Sequence, residues 1–339
     1  MALPLRIALD ATPLSVPVGG VRRYTVELAR ALARRYPNDS YYLVSDQRFE
    51  LPAEAANLHG CGGPVSRMHR RWWTVGLARE LRRLSVDVFH GTDFAVPYLP
   101  LRPAVMTIHD LSPWRVETAD SAGSRVKRRT PFLLATGLMT MAITPSEAVR
   151  REVIDRFRIA PDRVAAIPLA ASELFRPAAP APHERPYFLC VGASNPRKNL
   201  TVVRQAWEEL RNEANVGLVV AGEDGPVEDA ALPPLYSGAL ALLYPSLYEG
   251  FGLPVLEAMQ CGTMVIASKD PALTEVAGGA AVQVDARDVR GWAAAMRAAL
   301  SDEWRAAWRE RGLARAAEFS WERTAILTRE VYDEACRLF

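Results

Sequence analysis

Short apolar runs of strand length alternate with helix-period stretches along nearly all of this 339-residue chain. That alternation restricts it to α/β architecture with parallel sheets. Residues 6–10 (RIALD) read as a first strand, a loop holding Gly19 and Gly20 follows, and residues 21–36 form an amphipathic helix. Strands at 39–44, 86–90, 104–108, 139–144 and 163–167 continue the pattern, with helices at 72–84 and from Ser146 and Glu147. In such sheets ligands gather at the carboxyl ends of the strands. His90, His109 and the diglycine loop all follow strands, so a site is expected there.

Residues 175–186 (FRPAAPAPHERP) are proline-rich and lack periodicity, which marks a domain boundary. The expected division is residues 1–175, a linker at 176–186, and a second domain at 187–320. The second domain opens with a strand at 187–191, turns at Gly192 and enters a helix through Arg197, Lys198 and Asn199. Two cations at a helix start oppose the helix dipole, so they are poor structural choices and better phosphate ligands. Further strands fall at 216–221, 239–243 and 264–267; from Val289 the chain is helical, with Trp292, Trp304, Trp308 and Trp321 on packing faces.

Residues 244–257 (YPSLYEGFGLPVLE) run from one of these strands into a helix opened by Pro254. Glu249 stands before Gly250 and Gly252, and Glu257 is expected in the first helical turn, where unpaired N–H groups favour negative charge. Glycines let backbone amides approach an anion at a helix start. A carboxylate on each side could accept hydrogen bonds from a sugar and a ribose, which suggests a nucleotide-sugar pocket. An ordinary βα connection with an acidic first turn has the same form.

Composition narrows the setting. With 49% hydrophobic and 24% charged residues, and no apolar run long enough to span a bilayer, the chain reads as globular. Its first residues lack a signal peptide's pattern, so a cytoplasmic location is expected. Four widely spaced cysteines form no CxxC pair and suit packing. Residues 1–180 hold 25 Lys and Arg against 17 Asp and Glu, an excess of +8, while the remainder carries −6. The basic clusters at 67–73 (RMHRRWW) and 125–129 (RVKRR) suit peripheral contact with an anionic membrane face or a phosphate-bearing acceptor. Solvated helix faces give the same pattern. No nucleic-acid-binding motif accompanies the charge, so no nucleic acid partner is expected.

The segment from Glu249 to Glu257 resembles the Glu-x7-Glu signature of retaining GT-B glycosyltransferases of family four. Other segments resemble the same family in order: residues 19–24 (GGVRRY) its glycine loop, 86–91 (VDVFHG) and 107–110 (TIHD) its N-domain strand ends, 191–199 (VGASNPRKN) its Arg-Lys phosphate loop, and 319–322 (FSWE) the start of its returning C-terminal helix. The resemblance implies two Rossmann-like domains facing across a cleft. Residues 1–175 would take the acceptor side, with a helix at about 321–339 packed back on them, and 187–320 would bind the donor. Arg197 and Lys198 would hold the diphosphate and stabilise leaving-group charge. Glu249 would bind the transferred sugar, Glu257 the ribose, and the amides of Phe251, Gly252 and Leu253, past Gly250, the sugar or phosphate. Gly19 and Gly20 would border the substrate, and His109 would line the cleft near the reacting carbon, with His90 and Asp110 in support.

Retention is then expected through same-face attack, without Glu249 acting as the carboxylate nucleophile known from retaining glycosidases. The partners implied are a nucleotide-sugar donor and a glycan or lipid-linked acceptor, as in polysaccharide biosynthesis. The sequence has no Asp-x-Asp triad, and neither metal nor cofactor is expected, the two cations replacing a divalent ion. One departure stands out. Only 13 residues separate Gly222 from Tyr236, where the family usually has another helix and strand. Pro226, Pro233 and Pro234 are expected to leave little room for either, abbreviating the second domain and weakening base recognition. That keeps two alternatives open, a non-catalytic nucleotide-sugar-binding protein and a nucleotide-sugar epimerase.

Overall fold

A computed structural model describes residues 3–62, 72–115, 123–192, 195–211, 213–225 and 227–339, without the side chains of residues 123–125. Most of the basic cluster at 67–73, the Arg125 side chain, Ala193, Ser194 and Pro226 lie outside the described residues. The chain forms two compact units, Met1–Pro113 with Asp120–Pro168 and Trp321–Phe339, and Trp114–Ala119 with Leu169–Ser320. Among the described residues no helix is long and apolar enough to cross a membrane.

The first unit is built on β1 (Arg6–Asp10), α1 (Gly20–Arg35), β2 (Ser40–Ser45), β3 (Leu58–Gly62), α2 (Leu77–Leu84), β4 (Val88–Gly91), β5 (Ala104–Thr107), α3 (Gly123–Ala135), β6 (Met141–Thr144), α4 (Glu147–Phe157) and β7 (Val164–Ala166). Its seven strands pair in the order β3-β2-β1-β4-β5-β6-β7, all in parallel. Central strands such as β4 and β5 are buried at every position, as parallel strands covered on both faces must be. Edge strand β3 was not expected from its sequence, LHGCG, which has little β-branched or aromatic content.

The second unit contains β8 (Tyr187–Val191), α5 (Leu200–Leu210), β9 (Gly217–Ala221), α6 (Leu232–Gly238), β10 (Leu242–Tyr244), α7 (Leu253–Gln260), β11 (Val265–Ser268), α8 (Pro271–Ala277), β12 (Val282–Val284), α9 (Val289–Ala298) and α10 (Asp302–Ala316). Its five parallel strands run β12-β11-β10-β8-β9. Val203 and Ala206 of α5 and Trp292 and Met296 of α9 share one apolar core with Phe188, Leu243 and Ile266 of the sheet. The proline-rich segment belongs to this unit: Phe175 is fully buried, its carbonyl accepts from Gln260 Nε2 at 2.6 Å, and Ala181 N donates to Pro234 O at 3.1 Å.

The stretch after Gly222 corrects one expectation. A 3-10 turn at Asp229–Ala231 leads into helix α6 (Leu232–Gly238), which forms because Pro233 and Pro234 fall in its first turn, where a missing N–H costs little. Among the described residues it supplies no strand.

After α10 the last helix, α11 (Trp321–Leu338), belongs to the first unit. Its buried face presents Arg329 and Tyr332. The Arg329 Nε donates to Asp39 Oδ2 at 2.6 Å, each side chain 4% exposed. Asp39 also accepts from Leu5 N and Tyr41 Oη, at 2.8 and 3.2 Å. His90 Nδ1 lies 2.7 Å from Tyr332 Oη, and its Nε2 lies 2.8 Å from Thr107 Oγ1. Burial pushes the His90 imidazole down to about 3, with the nearby His109 adding to the effect, so His90 is a neutral link between sheet and helix. Removing one partner of a buried pair strands the other charge. Arg329→Ala should therefore cost about 3–5 kcal/mol, read as a lower urea midpoint; an unchanged midpoint would contradict this account of how α11 is held.

Candidate functional site

The carboxyl ends of β8 and β10 place three charged side chains together. After β8 the backbone turns at Gly192 (φ 87°), and Asn195 Oδ1 caps a short 3-10 turn, Pro196–Lys198, by accepting from Arg197 N at 2.9 Å. Arg197 and Lys198 thus occupy a separate turn ahead of α5, not its first turn, correcting the expected placement. Asn199 ends that turn in the left-handed region (φ 53°), which asparagine tolerates. Its Nδ2 donates to Pro245 O at 3.2 Å and Ala286 O at 2.6 Å, tying the turn to the ends of two other strands. Leu247 N donates to Arg197 O at 2.9 Å.

Both cations then converge on Glu249. An Arg197 guanidinium nitrogen donates to Glu249 Oε2 at 2.7 Å and to Tyr248 O at 2.6 Å. Lys198 Nζ donates to Glu249 Oε1 at 2.8 Å and to Tyr244 Oη at 2.5 Å. The side chains of Arg197, Lys198 and Glu249 are only 15, 15 and 8% exposed. Burial alone would raise the Glu249 carboxyl, but the charges of Lys198 and Arg197 and hydrogen bonds from Lys198 and Ser246 hold it down to about 2.

A residue not singled out from the sequence supports this cluster. Asp270 caps α8, its Oδ1 accepting from Ala272 N and Leu273 N at 3.0 and 3.1 Å, while its Oδ2 accepts from Glu249 N at 3.3 Å. Burial pushes Asp270 up to about 6; the Leu273 amide opposes this and the Glu249 charge reinforces it. The readable signal was an Asp-Pro pair after a strand, the pattern of a helix start.

Past Glu249 the chain passes Gly250 and Phe251, both buried, and reaches Gly252 at φ 103°. A Cβ there would meet Leu273 Cδ2 at 2.4 Å, so both conformation and packing demand glycine. α7 has no side-chain cap. Among the described residues the amides of Phe251, Gly252 and Leu253 donate to no protein acceptor, leaving them for an anion. Glu257 falls in the second turn of α7 rather than the first, so its charge is not explained by the helix terminus. It is 1% exposed and its Oε2 accepts from Tyr236 Oη of α6 at 2.9 Å.

The remaining predicted residues belong to the first unit. Gly19 (φ 139°) and Gly20 start α1, exposed and with open space where a Cβ would stand. One turn on, Tyr24 Oη lies 2.9 Å from Thr107 Oγ1, and its ring meets the His109 ring edge-on at 4.9 Å. His109 Nε2 donates to Thr92 O at 2.8 Å, fixing the tautomer; Thr92 Oγ1 in turn donates to Asp10 O at 2.7 Å. Asp110 closes a local turn on Ser112, accepting from its N and Oγ. Asp10 and Asp93 were not anticipated. Burial raises Asp10 to about 6 against the hydrogen bonds from Thr12, and raises Asp93 against the charges of His109 and Arg129. Perturbed acids at strand ends are candidates for functional groups. Among the described residues no group of three or more His, Cys, Asp or Glu gathers as a metal-binding set.

Comparison with known proteins bears on both units. Residues 18–172 match the family described as Glycosyltransferase Family 4, and residues 185–302 match Glycosyl transferases group 1. The chain is 30% identical to the O-antigen chain mannosyltransferase B of Escherichia coli, over 97% of this chain and 99% of that one. Among solved structures it resembles a sucrose-phosphate synthase from Thermosynechococcus elongatus (TM-score 0.72, 20% identity, 97 and 98% coverage). It also resembles Anabaena HepE in complex with UDP and glucose (TM-score 0.70, 16% identity, 97 and 100% coverage). These likenesses give the fold as GT-B.

The charge cluster carries its own pH signature. Glu249's folded value lies below its ordinary 4.5, so its stabilisation is present above that pH and is lost as pH falls toward about 2. Glu249→Gln should cost on the order of 3 kcal/mol near neutrality, by stranding two cations. The gap to wild type should close between pH 4.5 and 2.5 in a thermal-melt series; a pH-independent gap would contradict the pairing.

Proposed function

The chain belongs to the group 1, family 4 glycosyltransferases, and from that membership we propose a retaining, metal-independent enzyme that moves a sugar from a nucleotide-diphosphate donor to a glycan or lipid-linked hydroxyl. Mannose is the first donor sugar to test, because the relative matched along almost its whole length is named a mannosyltransferase. The observation that carries the reading is the pairing of Arg197 and Lys198 on Glu249, next to the unbonded amides at the start of α7. That is an anion site with a carboxylate beside it.

In this reading the donor's diphosphate takes Arg197, Lys198 and the amides of Gly252 and Leu253. Glu249 then accepts from a hydroxyl of the sugar, and Glu257, held by Tyr236, from the ribose. The bond from the anomeric carbon to the phosphate oxygen breaks, leaving charge on the diphosphate, which the two cations stabilise. The acceptor oxygen bonds the same face of that carbon, and its proton passes to the departing phosphate oxygen. Within the first unit, His109, held by Thr92 and Tyr24, is the side chain proposed to contact substrate. A cytoplasmic place of action, where nucleotide sugars are available, follows from the same proposal.

The test is nucleotide release from a panel of purine- and pyrimidine-diphosphate sugars, with a mannan oligosaccharide as acceptor and a chelator present. Wild type should transfer with the anomeric configuration retained and with a rate unchanged by chelator. Lys198→Ala should lower kcat by about 100-fold or more, the loss typical of one charge-stabilising donor. Binding without release would identify a binding protein, and interconversion of donor sugars without acceptor an epimerase. Loss of activity on chelation would overturn metal independence.

A further inference from the structure

The first unit holds an open groove of about 570 Å³ lined by Trp73, Tyr98, Arg128, Arg129 and Phe132. That volume lies within the ligand-pocket range of about 300–1,000 Å³. Three of the five are aromatic, two are arginines and none is acidic. Arg128 and Phe132 stand one turn apart on α3, and Tyr98 N donates to Trp73 O at 3.3 Å, which fixes one wall to the other. The Tyr98 and Phe132 rings lie 6.2 Å apart, inclined at 37°. Arg129 stacks its guanidinium 5.1 Å from the centre of the Trp73 ring. Phe132 is 52% exposed, so its ring is open to a ligand. Among the described residues Arg128 has no ion-pair partner.

Phe94 contacts both the pocket's helix and His109. Phe94 holds φ at 51°, a strained conformation for a bulky side chain. Its carbonyl accepts from Arg129 and from Thr130 Oγ1, both at 3.4 Å; its N donates to Thr107 O at 3.0 Å; its ring lies 6.3 Å from the His109 ring. Asp93, preceding it, feels both His109 and Arg129.

We propose that this pocket seats the acceptor and that the acceptor is an anionic saccharide. Resting on the glycosyltransferase reading, this names its acceptor class. The C–H faces of a pyranose stack on Tyr98 and Phe132, as apolar surface packs on aromatic rings. Arg128 and Arg129 take a phosphate or carboxylate borne by the sugar, a bidentate geometry that suits guanidinium. Phe94 passes the seated sugar's position to the loop beside His109 and Asp93.

Isothermal titration of the whole protein with a mannose disaccharide carrying a phosphate monoester, and with the same disaccharide dephosphorylated, tests this. The phosphorylated probe should bind at least 10-fold more tightly. Arg128→Gln should erase that preference, and Phe132→Ala should weaken both probes, each with a wild-type thermal midpoint; both positions are open enough to be replaced without unfolding the chain. Equal binding of the two probes, equal binding of inorganic phosphate alone, or unchanged binding in both variants would overturn the proposal. So would anionic phospholipid vesicles whose binding both variants abolish while saccharide binding persists. Nucleotide release by the wild type is scored separately. If no donor is turned over, the transfer reading falls, while the isotherms still judge the pocket.

Discussion

Glu249 accepts from Arg197 and Lys198 almost out of solvent, and the local geometry of the second unit depends on that arrangement. A buried carboxylate is tolerable only when its charge is met. Two cations from one 3-10 turn meet it. The turn is anchored by Asn199 to the ends of β10 and β12, and the Glu249 amide is held by the cap of α8. The glycine at 252 then lets α7 start against Leu273 with its amides bare. Three loops from three strand ends are thereby joined through one residue, by its carboxylate and by its amide.

Occupancy follows from the same electrostatics. The Glu249 carboxylate already neutralises part of the charge of both cations. On the proposed function, an incoming diphosphate shares or displaces it, so donor affinity would be the gain from the phosphates less the loss of this internal pairing.

The central strands and their order in sequence were legible because parallel strands buried on both faces must be runs of apolar residues, as in β4, β5 and β8. Edge strands β3 and β12 were not, since one is rich in glycine and the other is three residues long. α6 was hidden by its prolines, which sequence reading takes as breakers unless they fall in the first turn. In the site, residue types and spacing pointed to Glu249, Arg197, Lys198 and the glycine turn. They could not place the two cations on the first carboxylate, because that contact spans 51 residues or more of chain. Nor could they put Glu257 a full turn deeper against Tyr236, or find Asp270, whose capping role and hold on the Glu249 amide appear only when the strand ends are brought together.

The return of α11 to the first unit has a consequence for how the molecule is made. The Asp39 carboxylate and the His90 imidazole, both near the start of the chain, meet Arg329 and Tyr332 only near its close. Residues 169–320 emerge from the ribosome as a nearly continuous block before those partners exist. Domains generally fold in order of synthesis, yet here Asp39 and His90 gain their α11 partners only after the second unit, all but six of whose residues are contiguous, has been made. The unit that begins first is the one finished last.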